Sequence, residues 1–204
     1  MMSRIDFIFD FGSPNAYLAW KALPEIAQRT GAQITLIPCL LGGIFKLTNN
    51  RSPMVAFDKV KGKLEYEQLE TRRFMARHSL TAFRHNPHFP LNTLQVMRSF
   101  VAAQRAGVGT AYLVAVQRAM WEAGEKMDDP EVIRSVLEAA DLDGPTLIAA
   151  ANDPSVKAEL TTNTHSAVAR GVFGIPTFFV GGEMFFGKER LGQVEEAVRQ
   201  TAAR

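Results

Sequence analysis

A chain of 204 residues, 47% of them apolar and 22% charged, can bury one substantial core or two intimate ones. Its formal charge of +2, with basic residues scattered along polar helix faces, excludes a nucleic-acid footprint. Its single cysteine, Cys39, excludes an intramolecular disulfide and any intramolecular dithiol mechanism, and it fits a reducing compartment. No apolar run approaches the roughly 20 residues that a membrane span needs. Met1-Met2-Ser3-Arg4 leads straight into a strand pattern without a signal-peptide core. A cytoplasmic protein with no membrane partner is therefore expected.

Residues 4–11 alternate and are aromatic and β-branched, which predicts a strand. Gly12-Ser13-Pro14 is a helix-start signal, with Ser13 as N-cap and Pro14 at the first helical position. A helical pattern over 15–29 stops at Thr30-Gly31, where Gly31 suits a left-handed cap. Residues 33–38 form a second strand, and the crossover is long enough for parallel pairing. Helices follow over 59–78, 92–106 and 109–123. Asp129-Pro130 opens another, Asp143-Gly144-Pro145 breaks the chain, and Asp153-Pro154 starts a last helix to about 170. Strands return at 176–180 and 183–186, joined by Gly181-Gly182 as a two-residue hairpin, before a final helix through Leu191, Val194 and Val198.

The order is βαβ, helical insert, ββα. Joining the outer pieces predicts an α/β fold of the thioredoxin-like kind, a four-stranded mixed sheet with helices on its faces. Residues 1–46 and 171–204 make the thioredoxin-like domain, and 47–170 make a large all-helical insertion domain.

In such a fold the first strand-to-helix turn is where a redox Cys-x-x-Cys pair would sit. Here the two positions read Ser13 and Ala16. A serine cannot form a disulfide, but its hydroxyl can hold another molecule's thiolate. The bland role, an N-cap, and this functional one need the same helix end. Its unpaired N–H groups and partial positive charge favour an anion. A thiol of ordinary pKa is only about 3% ionised at pH 7, and a drop of two units makes it roughly three-quarters thiolate.

Four segments carry a resemblance: Phe11-Gly12-Ser13-Pro14-Asn15-Ala16-Tyr17, Leu40-Leu41-Gly42-Gly43-Ile44-Phe45-Lys46, Phe89-Pro90-Leu91-Asn92-Thr93-Leu94 and Phe173-Gly174-Ile175-Pro176-Thr177-Phe178. In this order and spacing the chain resembles the 2-hydroxychromene-2-carboxylate isomerase family, which belongs with the kappa-class glutathione transferases. The resemblance implies glutathione as cofactor, an aromatic small-molecule substrate and a homodimer acting in aromatic catabolism such as naphthalene degradation. It implies that Ser13 holds the glutathione sulfur. It also implies that Pro176 is cis and that Ile175 pairs its backbone N–H and C=O with the cysteinyl part.

By the same resemblance Asn50 and Lys63 reach the glycyl carboxylate, with Asn49 and Lys61 as alternative registers. Glu189 and Arg190 stand where family members commonly have Asp-Arg at the γ-glutamyl end. Asn92, and less so Thr93, line the substrate side, and Phe45 and Phe185 are candidates for an apolar wall above the sulfur. The structural alternatives are a turn asparagine, solvated lysines, a helix-capping acid and an N-capping Asn92. Cys39 has apolar neighbours and is read as buried and inert. His78, His85, His88 and His165 lack metal-ligand spacing, so no metal is expected. Met75, Met97 and Met120 sit in helical apolar patterns and belong to the core. The activity implied is a glutathione-dependent isomerase. The alternatives are a kappa-like glutathione transferase and a non-catalytic glutathione- or peptide-binding module.

Overall fold

The computed structural model describes residues 3–202. Strand β1 (Arg4–Phe9) lies at the centre of a four-stranded sheet in the order β2-β1-β3-β4. It pairs in parallel with β2 (Gln33–Pro38), from Arg4 opposite Gln33 to Phe9 opposite Pro38. It pairs antiparallel with β3 (Thr177–Val180), which in turn pairs antiparallel with β4 (Glu183–Phe186). The thioredoxin-like arrangement expected from the element order is therefore present. β1 is two residues shorter than expected. At Asp10 the chain leaves the ladder and turns, the Asp10 carboxylate accepting the Gly12 N–H at 2.8 Å and its carbonyl the Ser13 N–H at 3.2 Å.

Helix α1 (Pro14–Thr30) has the expected ends: Ser13 caps its start and Gly31, at φ 69°, its finish. Its apolar face, from Ala16 and Tyr17 through Leu23 and Ile26, is buried, and the C-terminal helix packs against α1 and β3 on this side of the sheet.

Between β2 and β3 the regular elements among the described residues are all helices, joined by loops. Helix α2 (Leu41–Thr48) and the short α3 (Pro53–Ala56) were not legible in the sequence pattern. Gly42 and Gly43 disfavour a helix on propensity. Tertiary contacts override that: Asp10 takes the Leu41 N–H at 2.7 Å, and the open Cα of Gly43 lets Thr164 approach, where a Cβ would lie 3.1 Å from Thr164 Cγ2. Helix α4 (Lys63–Arg77) starts four residues later than expected because Gly62 has φ 80°. Helices α5 (Leu94–Arg105) and α6 (Gly109–Arg118) follow, and the second passes into a π-helical segment, Ala119–Ala123, that buries Trp121. Helix α7 (Pro130–Glu138) is capped by Asp129 as expected. Asp143-Gly144-Pro145 is not simply a break. Asp143 caps a further helix, α8 (Gly144–Ala150), by accepting the Thr146 N–H at 3.0 Å. Helix α9 (Pro154–Ala169) then packs on α2, α5 and β2, and α10 (Leu191–Ala202) ends the described chain.

One hydrophobic cluster runs through both parts of the chain. Phe9 at the end of β1 and Phe11 in the turn after it meet Phe100 of α5 edge-on, with ring centroids 6.1 and 5.4 Å apart. Trp121 donates its indole N–H to the Phe11 carbonyl at 2.9 Å. Aromatic pairs of this kind contribute roughly 0.5–1.5 kcal/mol each beyond area burial. They clamp the helical segment directly onto the turn that carries Ser13.

Candidate active site

The site is built on the turn between β1 and α1. Ser13 is 4% exposed, and its extended backbone (φ −100°, ψ 111°) is that of an N-cap. Its Oγ accepts the Ala16 N–H at 3.1 Å and donates its proton to the Ile175 carbonyl at 3.0 Å. Pro14 has no N–H, and among the described residues no acceptor meets the Asn15 N–H. The start of α1 therefore keeps an unspent donor beside the hydroxyl, where the helix dipole is positive.

The Ile175–Pro176 peptide bond is cis, as expected. The Ile175 N–H has no acceptor among the described residues, whereas its carbonyl is engaged by Ser13. The Pro176 carbonyl accepts the Gly187 N–H at 2.9 Å, which brings the turn after β4 against the cis-proline. That turn holds Lys188 and Glu189. Lys188 is buried, 1% exposed, with its ammonium 5.7 Å from the centre of the Phe74 ring, and it is hydrogen-bonded to the half-exposed Glu189 carboxylate. Arg190 is exposed and donates its backbone N–H to the Gly187 carbonyl.

Lys63 opens α4 and pairs with Glu67, over the rings of Phe57 and Tyr66. The Glu67 hydrogen bond holds its ammonium above the ordinary lysine range, and the charge of Glu189 acts in the same direction. Lys63 and Glu189 thus share one electrostatic neighbourhood. Asn50 donates to the Phe173 carbonyl at 2.7 Å, two residues before Ile175. A continuous strip of contacts therefore joins Ser13, Ile175, Pro176 and the Lys188-Glu189 pair. Lys63 stands beside its Glu189 end, and Asn50 is tied to the same loop.

The remaining expected residues are Asn92, Thr93, Phe45, Phe185 and Cys39. Asn92 is exposed, and its carboxamide oxygen accepts the Leu94 N–H at 3.0 Å, one position before the residue at which a true N-cap would act. The N-cap of α5 is Thr93. It is Thr93, buried, that meets the Ser13 turn, with its methyl against Gly12. Phe45 is half-buried on α2. Phe185 is buried in the core, opposite Phe178 in the β-ladder. Cys39 is buried as expected, and burial pushes its thiol up to about 12, with the nearby Asp10 charge adding to this.

Two residues of the site were not singled out by sequence reasoning. Asp10 is fully buried beneath the turn and joins three segments, through the Gly12 N–H, the Leu41 N–H and the Thr93 hydroxyl. Burial raises its carboxyl above the usual range, against the pull of those three donors. An acid in the apolar run Phe7-Ile8-Phe9-Asp10-Phe11 was the available signal. Lys188 had none, because its burial depends on Phe74 of a distant helix.

Comparison with known proteins agrees with this geometry. Residues 4–199 match the model of the DSBA-like thioredoxin domain family. The 2-hydroxychromene-2-carboxylate isomerase of Sphingobium xenophagum is 28% identical over 197 residues, covering 96% of this chain and 97% of that protein. A solved structure of 2-hydroxychromene-2-carboxylate isomerase superposes with a TM-score of 0.82 at 27% identity, covering 98% of each chain. Glutathione S-transferase kappa 1 of Homo sapiens is 26% identical, covering 92% of this chain and 87% of that protein. The serine turn, the cis-proline and the single buried cysteine thus sit on a frame with a full-length match, and the chain belongs to the DSBA-like thioredoxin domain family.

Proposed function

We propose that this protein is a glutathione-dependent isomerase that interconverts 2-hydroxychromene-2-carboxylate and trans-o-hydroxybenzylidenepyruvate, as a homodimer in the cytoplasm. The observation that carries the reading is the placement of Ser13. A buried hydroxyl caps a helix at the position of a redox cysteine, beside a cis-proline, in a chain with no second cysteine. The full-length likeness to proteins named as that isomerase supports the substrate. The homodimer follows from the resemblance alone, and the cytoplasmic setting from the single cysteine, which fits a reducing compartment.

The residues present fit glutathione. The Ile175 N–H is an unpaired donor for an extended cysteinyl backbone. Lys63 and Arg190 offer cations for its carboxylates, and Glu189 an anion for its ammonium. Asn50 lies on the loop at which the glycyl end would rest. When bound, glutathione supplies a thiolate that adds reversibly to a conjugated carbon of the substrate. Ser13 and the Asn15 N–H lower the cost of ionising that thiol by offering hydrogen bonds and the positive end of α1. Thr93, rather than Asn92, presents the Phe89–Leu94 motif to the turn. Trp121, fully buried and packed on Phe89 with ring centroids 5.8 Å apart, supports the turn from within the core.

The second reading, a kappa-like transferase, is favoured by the likeness to glutathione S-transferase kappa 1 and differs in whether the thioether is released. Incubation with glutathione and the chromene carboxylate separates the two. Isomer formed at constant glutathione supports the isomerase, and an accumulating conjugate supports the transferase. Calorimetry showing no glutathione binding at millimolar concentration would sink both.

A further inference from the structure

The Ser13 hydroxyl has a single proton to donate. In this structure that proton goes to the Ile175 carbonyl, with 3.0 Å between the oxygens, while the hydroxyl oxygen accepts the Ala16 N–H. A thiolate at the start of α1 and the Ile175 carbonyl are therefore rival acceptors for one proton. Ile175 is 6% exposed, so withdrawing the proton strands a carbonyl that water replaces poorly. The backbone N–H groups on the Ile175 side of the turn are not free to take over, and the unspent Asn15 N–H belongs to the helix end that would face the sulfur. Pro176 has no N–H, the Gly187 N–H is spent on the Pro176 carbonyl, and the Gly12 N–H is spent on Asp10. Yet the Ile175 N–H stands without an acceptor among the described residues. Residue 175, in the bend that leads into β3, thus offers an open N–H and a carbonyl that is stoppered by Ser13.

We infer that Ser13 and Ile175 form a donor-exchange pair that selects thiols carrying a backbone amide. A ligand that brings an N–H to the Ile175 carbonyl releases the Ser13 proton, and the hydroxyl turns to the ligand's sulfur. One hydrogen bond is broken, Ser13 O–H to the Ile175 carbonyl. Two are made, ligand N–H to that carbonyl and Ser13 O–H to sulfur. No covalent bond changes. A thiol without such an N–H meets a Ser13 whose proton stays on Ile175, and it gains only the helix end. Specificity for a peptide thiol over a simple one therefore resides in the backbone of Ile175, and it acts on ionisation as well as on affinity.

This rests on the glutathione reading and adds a condition to it, so the test must separate the two. The bound thiol's pKa is measured from its ultraviolet thiolate absorbance at saturating ligand. The ligands are glutathione and its depsipeptide analogue, in which the γ-glutamyl–cysteine amide N–H is replaced by an ester oxygen. On the wild-type protein the glutathione thiol is expected to ionise about one pKa unit lower than the analogue's, roughly a tenfold difference in thiolate fraction at low pH. In Ser13→Ala, and in Ser13→Gly, which keeps most of the cap, the two ligands should coincide. Equal pKa values on the wild-type protein, or a difference that persists in both variants, would overturn the exchange while leaving the glutathione reading intact. Failure of glutathione itself to bind would overturn both.

Discussion

Thr93 lies against the open Cα of Gly12, so that a Cβ built on Gly12 would stand 3.0 Å from Thr93 Cγ2. This close approach lets the helical segment touch the Ser13 turn. The two residues also share Asp10, which accepts the Gly12 N–H and a hydrogen bond from Thr93.

Gly12 has no positive φ, so alanine there meets no backbone strain and its cost comes from Thr93 alone. Gly12→Ala is expected to destabilise by roughly 1–3 kcal/mol, as overpacking does, and to lower isomerase activity about tenfold by displacing Ser13. Thr93→Ser removes the clashing methyl and keeps the hydroxyl. The double variant should recover at least half of the loss, read from denaturant unfolding as a double-mutant cycle. Simple additivity would mean that the contact has no consequence.

Ser13→Ala removes both the cap and the hydroxyl, so about 1 kcal/mol of stability and roughly 10–100-fold in kcat/KM should be lost together. Ser13→Gly keeps most of the cap but strands the Ile175 carbonyl as alanine does, so its stability should lie between those of the alanine variant and the wild type, with activity as low as in the alanine variant. A glycine variant of near wild-type rate would remove the hydroxyl from the chemistry.

The buried Lys188 ammonium fixes the Glu189 carboxylate at the turn beside Pro176. Lys188→Met keeps the volume and removes the buried charge, and the Glu189 carboxylate left behind is half-exposed and stays solvated. It should raise KM for glutathione about five- to tenfold with kcat within about twofold. Glu189→Gln should raise KM similarly but also lower stability, because it leaves the buried Lys188 ammonium unpaired, and adding Lys188→Met should restore that stability with no further rise in KM. Steady-state kinetics at varied glutathione measures all three.

Glu195 joins α10 to α1 through Arg29, 2.8 Å away, and it also pairs with Arg199. Hydrogen bonds from Arg29 and Arg199 lower its carboxyl from about 4.5 to about 2. A depressed carboxylate favours the folded state above its unfolded pKa, and that contribution fades as pH falls through the folded value. Thermal unfolding of Glu195→Gln should therefore show a deficit against wild type at pH 6 that shrinks between about pH 4.5 and 2. A deficit independent of pH would assign the effect to packing.

Local signals carried much of this protein. Ser13-Pro14, Asp129-Pro130 and Asp153-Pro154 marked helix starts because capping needs only neighbouring residues. The alternation in β1 and the Gly181-Gly182 turn marked the strands for the same reason. Helix α2 stayed hidden because its Gly42-Gly43 pair opposes the helix locally and only Asp10 and Thr164 restore it. The choice of Thr93 over Asn92 was equally hidden. One position separates an exposed carboxamide from a buried hydroxyl, and the direction in which the chain enters α5 decides between them.

By itself the sequence determined the element order, the capping serine and the loss of dithiol chemistry, since one cysteine cannot form a pair. Only the tertiary structure decided what the Ser13 proton does. Its partner, the Ile175 carbonyl, lies 162 residues away, and that meeting exists only because β3 pairs with β1 and carries Pro176 up to the turn.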